Sequence, residues 1–130
     1  MKIVGVNHVQ VNVTKAELPA AREFYLGFMG MTEIHRPPVF KSDGVWMHAG
    51  SFEMHIGVED GVNRRATRAH VAYEVDDVAA WRKKIEAAKL PIKEQPKIPG
   101  FERFHFRDPF GNNVELIQRL EPQMNADKRR

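Results

Sequence analysis

The chain has 130 residues, 42% hydrophobic and 28% charged, a size and make-up that suit one soluble globular domain with a sizeable core. No apolar run reaches membrane-spanning length, the N-terminus lacks a signal peptide's apolar core, and the absence of cysteine excludes a disulfide framework and thiolate chemistry. The net charge of +3 is mild, and its basic clusters at Asn63–Arg68 and Lys128–Arg130 have no interleaved aromatics, so they read as a solvated linker and a tail and not as a nucleic-acid surface.

In chain order, the first strand is expected within Val4–Val13, where Val9, Val11 and Val13 fall on one face and His8, Gln10 and Asn12 on the other. Pro19 suits the first turn of a helix, and Ala21, Phe24, Tyr25 and Phe28 repeat at helical spacing up to Gly30. Thr32–Arg36 is expected as a second strand, closed by Pro37-Pro38, with Val45–His48 and Phe52–Val58 as the third and fourth. Residues 60–67 form a polar linker. The order then repeats: a strand carrying His70, a helix capped by Asp76 or Asp77 with the stripe Val78, Trp81, Ile85 and Ala88, and a short strand in Pro91–Gln95. Strands at Phe101–Phe106 and Asn113–Gln118 follow, joined by the turn Arg107–Asn112. From Glu121 onward little order is expected.

The chain therefore reads as a βαβββ unit used twice. His8 and His70 head matching strands, and Met54-His55-Ile56 matches Val114-Glu115-Leu116. Met47-His48 is aligned with Phe104-His105, the second half having a turn three residues longer. The predicted fold is α+β: modules 1–59 and 66–120 form one domain, 1–120, and 121–130 is a flexible tail. The modules form a paired, cup-shaped mixed sheet with helices outside, because the helical stripes must cover the apolar rows. His8, His55, His70 and Glu115 are left on the opposite face, where three imidazoles and a carboxylate suit one divalent metal ion per site (Zn, Mn, Fe(II), Ni or Co).

Asn7-His8-Val9, Ala69-His70-Val71 and Asp108-Pro109-Phe110-Gly111-Asn112-Asn113-Val114-Glu115, in this duplicated order, resemble the vicinal oxygen chelate superfamily of glyoxalases, bleomycin-resistance proteins and dioxygenases. The resemblance is strongest to small bacterial glyoxalase-like proteins. It implies metal ligation by His8, His70 and Glu115. The fourth position stays open between His55, which the repeat favours, and Glu53, which a glyoxalase-like alignment favours. It further implies a metal-dependent lyase or isomerase whose small substrate chelates the ion through adjacent oxygens, with Glu115 or Glu53 moving protons. Trp46, His48, Phe101, Arg103 and His105 are the candidate substrate-binding residues. A drug- or metabolite-sequestering protein of the bleomycin-resistance kind and an iron(II) dioxygenase are the alternatives. A cytoplasmic homodimer is expected, with a small molecule as partner and neither nucleic acid nor membrane.

Overall fold

The computed structural model describes residues 1–121 and divides the chain between Asn63 and Arg64. The first unit contains β1 (His8–Val13), α1 (Leu18–Glu23), β2 (Thr32–Ile34), β3 (Gly44–Ala49) and β4 (Phe52–Val58). The second contains β5 (His70–Glu74), α2 (Val78–Ala87), β6 (Ile92–Lys93), β7 (Phe101–Arg107) and β8 (Asn113–Arg119). Each unit is a four-stranded mixed sheet, ordered β1-β4-β3-β2 and β5-β8-β7-β6. Within each, the first strand lies parallel to the fourth and the remaining pairs are antiparallel. The expected α+β class and the βαβββ order of each half stand. The tail expected from residue 121 lies, from 122 on, outside the described residues.

Alternation decides which side chains are buried. In the first unit Val13, Val45, Met47, Met54 and Ile56 are buried together with Ala21 and Tyr25, and α1 packs on β4. In the second, Tyr73, Phe104, Phe106, Val114 and Leu116 are buried with Ile85 of α2, which packs on β8. Asp77 caps α2 by accepting the Ala80 amide at 3.0 Å. Among the described residues no helix is long and apolar enough to cross a membrane.

Four local expectations need correction. Pairing of β1 begins at His8 and not near Val4, because its parallel partner β4 begins at Phe52 and His8 already lies opposite Glu53. Val4 and Val6 also share the parity of His8, not of Val9, and are exposed. The first helix is not α-helical throughout: Phe24–Phe28 forms a π-turn in which the Met29 amide reaches the Phe24 carbonyl at 2.9 Å. The wider turn stacks Phe24 on Phe28 and leaves both half-buried, while Tyr25 is fully covered. Ala88 forms the C-cap of α2 and is exposed. Finally, Trp46 pairs with His55 as His105 pairs with Glu115, so Trp46, not His48, is the counterpart of His105. The corresponding β7–β8 turn, residues 108–112, is then one residue longer than residues 49–52.

Candidate metal centre

The turn before β8 is built to hold that strand in place. Asp108, 1% exposed, accepts the amides of Phe110 at 2.9 Å and Asn112 at 2.8 Å. Gly111 has φ +97°, and a Cβ there would come within 3.0 Å of Arg65 Cγ, so glycine is required. Arg107 donates to the carbonyls of Arg64 (3.1 Å), Gly111 (3.0 Å) and Thr67 (2.9 Å), tying the end of β7 to the segment that leads into β5. Burial, followed by the charge of Asp108, pushes the Tyr73 phenol well above its ordinary pKa. His70 on β5 and Glu115 on β8 are thereby fixed by the same scaffold.

Glu115 is buried, and each of its oxygens is engaged. Its Oε2 accepts from Arg103 at 3.2 Å, and Arg103 also donates to the Pro96 carbonyl at 2.9 Å. Its Oε1 lies 3.1 Å from His105 Nε2 and 3.1 Å from His70 Nε2. His70 Nδ1 lies 3.0 Å from the Arg68 carbonyl, which can only accept; in the neutral ring the proton is therefore on Nδ1. The Nε2 lone pair then faces a carboxylate oxygen, an arrangement made favourable by a cation shared between them. Burial pulls the His105 pKa below its ordinary value; the Glu115 carboxylate opposes this shift and His70 adds to it.

His70, His105 and Glu115 each offer one donor atom, and these atoms all lie within 4.8 Å of one another. Donors bound at the ordinary lengths of about 2.0–2.2 Å sit about 3 Å apart around a first-row ion, a spacing that the two imidazole–carboxylate separations of 3.1 Å match, so this nitrogen–oxygen set suits a divalent cation. A cavity of about 510 Å³ opens beside it, lined in part by His70, His105 and Asn113. Phe101, at the far end of β7, lies under the Arg119 guanidinium and is not among the lining residues.

In the first unit the corresponding face carries a stack of rings. His55 is buried, with Trp46 parallel to it at 4.1 Å and His8 on its other side at 4.0 Å. His55 Nε2 lies 3.0 Å from Glu53 Oε1, and His8 Nδ1 lies 2.9 Å from Asn7 Oδ1. All four residues His8, Trp46, Glu53 and His55 line a second cavity, of about 460 Å³. His48 is exposed at the turn end of β3 and lines a separate shallow depression with Asn7 and Glu53. The structure thus groups His8, His55, Glu53 and Trp46 in one unit, and His70, Glu115, Arg103 and His105 in the other. His105, expected from the sequence to touch substrate, stands among the donors. Arg68, Lys93 and Arg107 were not anticipated at the cavity, although Arg107 shares the two-residue spacing of Arg103 and His105 that places it on the Glu115 face.

A duplicated βαβββ chain with an imidazole–carboxylate donor set beside a cavity defines a class of small, two-module proteins with metal-binding members. The family model for the Glyoxalase/Bleomycin resistance protein/Dioxygenase superfamily matches residues 5–116, and the chain belongs to that superfamily. Among solved structures, a glyoxalase family protein from Bacillus anthracis is 34% identical, with 92% of this chain and 98% of that one covered and a TM-score of 0.80. The fosfomycin resistance protein FosX from Listeria monocytogenes, complexed with Mn(II) and sulfate, is 20% identical over 98% of both chains, with a TM-score of 0.73. Lactoylglutathione lyase from Agrobacterium tumefaciens is 21% identical over 91% of this chain and 96% of that one, with a TM-score of 0.68. No curated protein matches the sequence.

Proposed function

We propose that the protein is a metal-dependent lyase or isomerase of the glyoxalase type, acting on a small substrate that chelates one divalent ion through adjacent oxygens. The observation that carries this reading is the approach of two imidazole Nε2 atoms to one buried carboxylate oxygen, each at 3.1 Å. The Mn(II) bound by FosX supports a divalent ion in this fold. Such an ion, when bound, supplies the positive charge that stabilises an oxyanion developing on the substrate.

The chain's own residues do the rest. The Arg68 carbonyl holds the proton of His70 on Nδ1 and leaves Nε2 free to donate its lone pair. Arg103 anchors Oε2 of Glu115 and so turns Oε1 toward the imidazoles. Glu115 moves the substrate proton, and in the first unit Glu53, bonded to His55, is the second carboxylate suited to that task. His8 and His55 are the first unit's candidate donors, and Trp46 offers a flat apolar wall.

A cytoplasmic location is part of this proposal, since a chain without cysteine needs no oxidising compartment for its fold. The edge strands β1 and β2, β5 and β6 support a homodimer, because sheet edges need cover; a monomer by light scattering at micromolar concentration would remove that part. The reaction is tested by incubating metal-loaded protein with 2-hydroxy carbonyl compounds in heavy water. Metal-dependent deuterium incorporation that disappears in Glu115→Gln is expected. Exchange indifferent to both metal and Glu115 contradicts the reading. The make-up of the donor set, two histidines and one carboxylate, favours one second reading, an iron(II) oxygenase. Substrate-dependent oxygen uptake with Fe(II) and none with Mn(II) would select it.

A further inference from the structure

We propose that the second unit's cavity is an oxyanion-binding site: Arg68, Lys93 and Arg107 hold a carboxylate or phosphate group of the substrate beside His70 and His105. The lining of this cavity contains those three cations and no aspartate or glutamate. Arg107 commits three of its donors to backbone carbonyls, which carry no formal charge to offset its own and leave further N–H groups for an anion. Among the described residues no carboxylate lies within ion-pair distance of Lys93, Arg68 or Arg107, whereas Arg82, Arg103 and Arg119 each pair with one. The first unit's cavity differs: Arg36 is accompanied there by Asp43 and Glu53.

Uncompensated cations of one sign in a cleft with low-dielectric walls concentrate anions there. Lys93 lies opposite His105 in the β6–β7 register, so the ammonium-bearing strand is the immediate neighbour of the donor-bearing one. Arg68 sits two residues before His70, to which its carbonyl is bonded. An anionic group held by these cations would set the remainder of the substrate against the donor set. In this respect the inference rests on the metal-dependent reading, but the anion site itself does not require the ion.

Inorganic phosphate is the probe, titrated by calorimetry into metal-free protein at fixed low ionic strength, with acetate as a second, planar oxyanion. Saturable binding of either anion in the millimolar range is expected. Lys93→Met should weaken it about tenfold, the effect of losing one charge-assisted hydrogen bond. Lys83→Met, on the exposed side of α2, should leave it unchanged, and circular dichroism checks that both variants fold. No saturation by either anion, or binding undiminished in Lys93→Met, overturns the proposal. Mn(II) affinity measured separately distinguishes the two readings: phosphate binding without Mn(II) binding leaves the anion site standing and removes the metal centre.

Discussion

Replacing Arg103 by methionine probes how Glu115 is balanced. The Arg103 and Glu115 side chains are 15% and 7% exposed, so the change removes one partner of a largely buried ion pair while keeping much of the volume. Such a loss costs about 3–5 kcal/mol when the remaining charge stays uncompensated. Here the His105 imidazole can still donate to Oε1, so the lower end, about 3 kcal/mol, is expected for the metal-free protein. For a chain of this length that corresponds to a fall in Tm of roughly 10 °C. A divalent ion at one hundred times its Kd contributes about 2.7 kcal/mol to the native state of the unaltered protein. In the variant it faces a carboxylate no longer shared with a guanidinium, so it should stabilise the variant by more. Thermal melts with and without Mn(II) or Zn(II) should therefore show the gap between the two proteins shrinking by at least half when the ion is present. An equal gap in both conditions would show that Glu115 does not face the ion and would refute the reasoning.

Two further outcomes follow from the same geometry. Gly111→Ala, which forces a Cβ onto a φ of +97° and against Arg65, should cost about 2 kcal/mol, or about 7 °C in Tm, measured by urea and thermal unfolding of metal-free protein. A loss below about 0.5 kcal/mol would mean that the turn relaxes freely. His105 has its folded-state pKa depressed, so around and below the ordinary histidine value of about 6.5 the unfolded chain binds more protons than the native one. Metal-free protein should thus lose stability as pH falls through that range, and His105→Gln should flatten this part of the profile; an identical pH dependence in both proteins would contradict the assignment.

The sheet faces were legible because period-2 alternation is a property of the backbone itself: His8 against Val9, and His70 against Val71, place their rings without any knowledge of partners. Register was not legible in the same way. Whether Trp46 or His48 matches His105 depends on turn length, and the buried Asp108 that organises the five-residue turn looks, in sequence, like any turn aspartate. The π-turn at Phe24–Phe28 was hidden because Ala21, Phe24, Tyr25 and Phe28 satisfy the α-helical spacing whether or not the backbone widens. The start of β1 was misplaced because Val4 and Val6 favour extended backbone, yet a strand needs a neighbour to be one. His105 became a candidate donor only once the β7–β8 register set it opposite Glu115.

The central claim, that His70, His105 and Glu115 hold a divalent ion, is tested most directly by equilibrium dialysis followed by metal analysis of untagged protein. The variants to compare are His70→Ala, His105→Ala and Glu115→Gln, with His35→Ala, at an exposed residue outside both cavities, as the control. One ion per chain in the unaltered protein and in His35→Ala, with affinity lowered at least about tenfold in each of the other three, is the predicted result. Absence of stoichiometric metal after reconstitution, or affinity unchanged in His70→Ala and Glu115→Gln, would contradict it.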